Sequence, residues 1–346
     1  MKTIWFDRGH SVRNALALIR AGADGRVRLI ASHPYGDAAA LAAADLALIE
    51  PLDAHGYRDW CLDMCRVHEV DLFVPGMRRD LIAGDAAAFA AAGTRVALPA
   101  AADVLDLLDD KWAFMDVAAA AGLPVPQAWL ARGGNDVRGA VAALREQGLD
   151  ACVKPRRGVF GAGFWRLVDE RPLIATLMDV DARMIAVEAF AQALDGEGAP
   201  DLLVLEFLPG HETSVDVLAQ EGRIVTAVAR RKERVGQWVE SEGEAIDLAA
   251  ATVKLFGLSG LINVQMIEDA GGQPRLIEVN TRMSGGCLNT VFAGVNLPWW
   301  HVALELGLAS AEMVPQPRGR ALVAAVPDAI RLDAPAPPFS TMIRDE

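Results

Sequence analysis

Cysteine is scarce in this sequence: Cys61, Cys65, Cys152 and Cys287 are the only four in 346 residues, and no two form a Cys-x-x-Cys pair. A thiolate metal centre or dithiol redox site is therefore not expected, and Cys61 and Cys65, four residues apart, read as the buried face of a helix. Long apolar runs are missing as well; none approaches the ~20 residues that span a bilayer. Asp7 and Arg8 interrupt the apolar stretch near the N-terminus, so no secretory leader is read, and a reduced cytoplasmic protein is expected. Basic residues are outnumbered. With 33 Lys and Arg against 46 Asp and Glu, the net charge of −13 argues against an extended nucleic-acid surface. A Gly-x-Gly-x-x-Gly fingerprint is also absent, Gly9 being the sole glycine at the first strand-to-helix turn, which removes a nicotinamide dinucleotide site. What is left is a folded chain long enough for two or three packed units, with small molecules rather than nucleic acid or membrane as partners.

The first hundred residues alternate short apolar segments with helical ones: Thr3–Phe6, a helix from about Ser11, Val27–Ala31, Leu46–Ile49, a helix over Tyr57–Val67, Asp71–Val74 and Arg95–Leu98. That rhythm predicts an α/β unit, a Rossmann-like parallel sheet covered by helices. Ligands of open α/β sheets bind beyond the carboxyl ends of the strands, which makes His10, Arg78 and Arg79 candidates for substrate contact, with solvated loop residues as the other reading. The run from Pro99 to Asp103 reads as a boundary in which Asp103 caps the next helix. After residue 310 the chain turns Pro-rich; Ala321–Val326 could return as an edge strand, and the last dozen residues read as a tail.

Residues 261–282 carry the strongest chemical signal. Leu261–Ile267 and Leu276–Arg282 both alternate with period two around Gly271-Gly272. A two-residue turn at those glycines would set Gln265 opposite Glu278 and Asn263 opposite Asn280. Amide and carboxylate oxygens would then share one face, hard donors of the kind that suit Mg²⁺, which keeps several waters and accepts phosphate oxygens at about 2.0–2.1 Å. A magnesium nucleotide is the expected ligand.

This hairpin resembles the metal-binding end of the ATP-grasp superfamily, in its carbamoyl phosphate synthetase and carboxylate-amine ligase-like branch. The resemblance continues upstream, in the family's order, through Asp110-Lys111, Val153-Lys154-Pro155, the glycines from Gly158 to Gly163, and Glu206-Phe207-Leu208-Pro209-Gly210. It implies an N-terminal α/β domain over residues 1–103, then a two-lobed α+β ATP-grasp fold with a phosphate-lid lobe over 104–205 and a metal-site lobe over 206–310, and a C-terminal strand and tail over 311–346. Carried over residue by residue, Lys111 and Lys154 bind phosphates. Gly158, Gly161 and Gly163 form a closing lid, whose backbone amides can approach the phosphates because glycine tolerates left-handed dihedrals. Glu206, Phe207 and Leu208 form the adenine hinge, and Glu212 matches the ribose-binding acid. Gln265, Glu278 and Asn280 would hold Mg²⁺, with Mn²⁺ as a substitute. Arg282 would stabilise an acyl phosphate or the tetrahedral species that follows.

The activity implied is that of an ATP-dependent carboxylate-amine ligase, on an amino acid, peptide or small metabolite. Another phosphoryl- or carboxyl-transfer enzyme of the superfamily, or a catalytically silent ATP-binding regulatory protein, are the alternatives. Arg230 and Arg231, in a loop bordering the acceptor site in the family, would hold a substrate carboxylate in bidentate fashion, Arg230 being the catalytic candidate; a solvated charged loop is the other reading. Asp216 reads equally as the wet face of a strand. Members of the family often dimerise, so the resemblance admits a homodimer. Two positions depart from the usual pattern. Gln265 stands where many relatives have Glu, although the carbamoyl phosphate synthetase branch also uses Gln there, and Thr281 replaces the Pro of an Asn-Pro-Arg run.

Overall fold

The short apolar runs of the first hundred residues do pair side by side. In a computed structural model, which describes residues 1–9, 12–158, 161–195, 200–326 and 329, β1 (Lys2–Phe6), β2 (Val27–His33), β3 (Leu46–Ile49), β4 (Leu72–Val74) and β5 (Arg95–Val96) form a five-stranded sheet in the order β3-β2-β1-β4-β5. All its pairings are parallel. Central β1 is buried on both faces, as a strand covered by helices on either side must be. Ile4 and Phe6 pack with Leu16 and Ile19 of the helix Val12–Ala23 and with Trp299 and Val302 of the helix Leu297–Glu305. Trp5 points the other way and stacks on Phe73 at 4.3 Å, in a second core with Tyr57, Cys61 and Cys65 of the helix Tyr57–Val67. Both cysteines are buried, and burial pushes the Cys65 thiol up to about 12, so neither is a ready nucleophile.

The chain divides into two units, one of residues 1–106, 213–264 and 280–346 and the other of 107–212 and 265–279. The second holds a sheet of β6 (Ala128–Ala131), β7 (Ala151–Pro155), β8 (Trp165–Val168), β9 (Met184–Ala186) and β10 (Leu202–Glu206), ordered β6-β10-β7-β8-β9. Its middle strand, β7, pairs antiparallel with β10 on one side and β8 on the other. Val137, Val141 and Leu144 of the helix Gly134–Glu146 cover one face, spaced for a single helical stripe.

A third sheet is built from β11 (Glu212–Gln220), β12 (Arg223–Lys232), β13 (Gln237–Glu240), β14 (Gly260–Glu268), β15 (Pro274–Asn280) and β16 (Arg320–Val323), in the order β15-β14-β11-β12-β13-β16. β16 is the returning edge strand expected near Ala321, paired antiparallel with β13. His10, the helix start at Ser11 and the C-terminal tail lie outside the described residues. Among the described residues, no helix is long and apolar enough to cross a membrane.

The hairpin between β14 and β15 corrects the sequence reading. Asp269 and Gln273 close it: the Asp269 amide donates to the Gln273 carbonyl at 2.9 Å and the Gly272 amide to the Asp269 carbonyl at 3.0 Å. The loop therefore has three residues, with Gly272 at φ +80° supplying the left-handed position that follows a type I turn. Pairing next to the turn is displaced by one residue from the two-residue expectation. Buried Leu276 and Val279 are three apart, a spacing that unbroken period-two alternation does not give. The two-residue type I′ turn occurs instead between β11 and β12, at Glu221-Gly222, where both residues have positive φ and Gln220 faces Arg223.

Candidate functional site

In the second unit, two lysines distant in sequence approach one carboxylate. Lys111 opens the helix Lys111–Ala120, whose N-terminus is capped by Asp110 accepting from the amides of Trp112 and Ala113. Asp110 also accepts from both Arg156 and Arg157. Burial would raise its pKa, but the bonds from Arg156 and the Ala113 amide prevail and hold the carboxyl below its ordinary value. With its start pinned to the end of β7 in this way, Lys111 directs its Nζ to the Gly158 carbonyl at 2.6 Å and to Glu278 Oε2 at 3.5 Å. Lys154, on β7, donates to the Ile277 carbonyl at 3.2 Å. Desolvation brings its pKa down from 10.5 to about 8; Glu278 opposes the shift and the nearby Lys111 adds to it. The cluster is therefore short of negative charge, the condition that favours a polyanion.

The glycine stretch follows β7 directly. Gly161 and Gly163 have φ of +63° and +73°, and a Cβ on Gly163 would lie 2.7 Å from Pro155 Cγ, so neither position suits a side chain. Arg183 donates to the Gly161 carbonyl. At the end of β10 the Glu206 amide donates to the Gln127 carbonyl at 3.0 Å and the Phe207 amide to the Asp150 carbonyl at 2.8 Å. The Arg166 guanidinium lies 4.5 Å over the Phe207 ring, and Leu208 is buried. This anchored segment holds the residues expected to form an adenine hinge, and Glu212 opens β11 a few residues on.

Gln265 and Glu278 belong to the second unit, Asn280 and Arg282 to the first. Glu278 and Gln265 are half-buried, and the Asn280 amide oxygen accepts from Arg282 at 3.3 Å. Among the described residues no group of three or more His, Cys, Asp or Glu could hold a metal. Within the second unit the carboxylate of Glu278 and the amide of Gln265 are hard oxygen donors, of the chemistry that fits Mg²⁺.

The first unit contains a buried polar network around Asp216. This side chain is 0 % exposed, which corrects the reading of it as the wet face of a strand. Arg230 Nε reaches Asp216 Oδ2 at 2.6 Å, and its other nitrogens donate to Gln237 at 3.0 Å and Ser284 at 2.9 Å. Ser284 and Asn263 both donate to Asp216 Oδ1. Gly286 packs against the guanidinium so closely that a Cβ there would lie 2.1 Å from Arg230 Nη1. Arg231 is ion-paired with Glu233 at 3.2 Å.

Comparison with known proteins bears on the whole arrangement. Residues 198–329 match a family described as ATP-grasp in the biosynthetic pathway with Ter operon. Among solved structures, the ADP complex of an N5-carboxyaminoimidazole ribonucleotide synthetase superposes with a TM-score of 0.65 at 17 % identity, over 91 % of this chain and 78 % of that one. A biotin carboxylase from Campylobacter jejuni gives 0.65 at 18 % identity, over 92 % and 74 %. An L-amino acid ligase from Bacillus licheniformis gives 0.61 at 14 %, over 88 % and 74 %. The chain has an ATP-grasp fold. No curated protein sequence matches it.

Two features of the first unit bear on the strand ends where ligand contact is expected. One is the use made of Arg78 and Arg79. Arg78 donates to the carbonyls of Pro51, Leu52 and Asp53 and lies 4.6 Å over the Tyr57 ring, while buried Arg79 donates to the Gly76 carbonyl. Both brace loops. The other is a cavity in the first unit, about 50 Å³ in water-accessible volume, at the carboxyl ends of β1 and β4. Asp7 lines it, accepting from the Tyr57 hydroxyl at 2.8 Å and from the Gly76 amide. Burial and then the neighbouring Glu50 push the Asp7 carboxyl up to about 7, against the pull of those hydrogen bonds.

Proposed function

We propose that this ATP-grasp chain is an ATP-dependent carboxylate-amine ligase, converting ATP to ADP and phosphate through an acyl phosphate. The convergence of Lys111 and Lys154 on Glu278 carries the reading: two ammonium groups lie near one carboxylate, an arrangement suited to a polyanion.

In this reading Lys111 and Lys154 hold the polyphosphate, and the amides of Gly158, Gly161 and Gly163 cover it and exclude water. Glu206, Phe207 and Leu208 bind adenine, and Glu212 the ribose. Gln265, Glu278 and Asn280 are the ligands for Mg²⁺, which when bound neutralises phosphate charge. A substrate carboxylate oxygen attacks the γ-phosphorus and ADP departs. The amine then attacks the acyl carbon, phosphate leaves, and the amine loses a proton. Arg282 stabilises the charge on the acyl phosphate. Arg230 acts through the shape of the acceptor region, its guanidinium held by Asp216, Gln237 and Ser284. Positioning and charge neutralisation account for such a reaction without a covalent enzyme intermediate. Buried thiols at Cys61, Cys65, Cys152 and Cys287 suit a reducing cytoplasm, where we place the reaction.

The test is product analysis with ATP, Mg²⁺ and pools of carboxylic acids and amines, bicarbonate forming a separate pool. ADP and phosphate are expected with one acid pool and one amine pool together, and are lost in Glu278→Ala. AMP would replace the acyl phosphate with an adenylate and overturn the mechanism. ADP with bicarbonate alone would make the enzyme a carboxyl-transfer catalyst.

A further inference from the structure

A helix beside a sheet normally turns its apolar stripe inward. The short helix Leu173–Met178 of the second unit does the reverse. Its one buried side chain is polar: Thr176, 3 % exposed, donates from Oγ1 to the carbonyl of Met184, on the edge strand β9, at 3.1 Å. Leu173, Ile174, Leu177 and Met178 share the outer side, spaced i, i+1, i+4 and i+5 along one stripe, and Val180 follows them; all five are between 55 and 79 % exposed. Among the described residues, no other eight-residue stretch gathers five exposed large apolar side chains, so chance scatter does not account for the patch. Five residues of about 200 Å² each at those exposures leave on the order of 600 Å² uncovered. That is the upper end for a chain that acts alone, and about three quarters of what one side of a standard protein interface buries.

We propose that the helix Leu173–Met178 is the centre of a two-fold interface between two copies of this chain. The charges around the patch favour this occupant over a lipid surface. A helix lying on a membrane carries Lys and Arg along its polar side, whereas here Glu170, Asp179 and Asp181 outnumber Arg171 and Arg183, Asp169 being paired with Arg145. Two copies packed antiparallel across a two-fold axis set Ile174 of each against Leu177 of the other. The same arrangement brings Arg171 towards Asp179 and Asp181, and Glu170 towards Arg183, so apolar surface meets apolar surface and opposite charges meet at both ends. The Arg171–Asp179 pair within one copy, at 3.3 Å, becomes part of that charged rim. One patch serves both sides, and no second surface is required. None of the five apolar residues belongs to the nucleotide site, so the interface is independent of the ligase reading.

Sedimentation equilibrium of the whole chain from about 1 to 100 µM measures the association, and the natural chain is expected to dimerise within that range. Ile174→Lys and Leu177→Glu each put a charge from both copies into the apolar centre, and each is expected to weaken dimerisation about 100-fold or more, the value of two buried leucine-sized contacts. Both positions are exposed in the single copy, so at about 1 µM the thermal melts of the variants and their Mg-ATP binding should match those of the natural chain. Mixing the two variants is the sharpest readout. A Lys–Glu pair then faces across the axis on one side while the natural Ile174–Leu177 contact remains on the other, and dimers should return at least about tenfold more strongly than with either variant alone. A natural chain that stays monomeric at about 100 µM, variants that dimerise as well as the natural chain, or a mixture that stays monomeric would each overturn the interface. Monomers that sediment with neutral phosphatidylcholine vesicles would overturn it in favour of a lipid surface.

Discussion

Two charged clusters of this chain contrast in how they are balanced. Around Asp216, a fully buried carboxylate meets one guanidinium and the donors of Ser284 and Asn263, and the Arg230 nitrogens each find a partner. Around Glu278, two ammonium groups share one carboxylate and two backbone carbonyls, and desolvation lowers the pKa of one of them. The first cluster is electrostatically closed and serves to hold strands in register. The second is open, and what would close it is an anion. A count of charges does not separate them, whereas the pairing does.

The largest effect that would break this comparison is expected at Asp216. Asp216→Ala leaves the buried Arg230 guanidinium without its counter-ion, and urea denaturation should show a loss of about 3–5 kcal/mol. Fluorescent-nucleotide binding by the protein that remains folded should be unchanged. Weaker nucleotide binding at equal folded fraction would show that the closed cluster also serves the ligand.

Lys154→Met should act in the opposite sense. Removing a desolvated cation costs no stability, while losing a charge-assisted bond to phosphate weakens Mg-ATP binding about 100-fold, or about 2.7 kcal/mol. Calorimetry and a thermal melt on the same sample test both halves. A variant that binds ATP normally would remove Lys154 from the nucleotide site.

The smallest effect is in pH. Because the Lys154 pKa falls from 10.5 in the unfolded chain to about 8 in the folded one, the unfolded state binds more protons between those values, and this group makes stability rise with pH across that window. A bound polyphosphate would raise the pKa again. Nucleotide binding above pH ~8 should therefore take up protons, and affinity should decline as pH climbs through the window. Calorimetry in buffers of different ionisation enthalpy measures the uptake; none detected would mean that Lys154 stays neutral beside the ligand.

Much of the fold was legible because its signals are local. The strands of the first sheet and the helix Tyr57–Val67 follow from periodicity and apolar runs, and the order of lysines, glycines and acid-amide pairs pointed to an ATP-grasp architecture. The hairpin at Gly271-Gly272 was misread because glycine serves both two-residue turns and the left-handed end of a three-residue loop, and here Asp269 closes the longer form by accepting from the amides of Gly271 and Gln273. Asp216 was misread because a carboxylate on a period-two strand carries the same sequence signature whether it faces water or an arginine fourteen residues away.

The sequence by itself determined the strands and the parallel character of the first sheet and the order of lysines, glycines and hard oxygen donors along the chain, since these depend on residue type and short-range spacing. Tertiary structure alone decided which charges are balanced. Lys111, Lys154 and Glu278 meet across 167 residues of chain, and Thr281 and His301 come to one cavity from distant segments of the chain. Desolvation and ion pairing depend on everything packed within a few ångströms, and that environment exists only once distant segments are brought together.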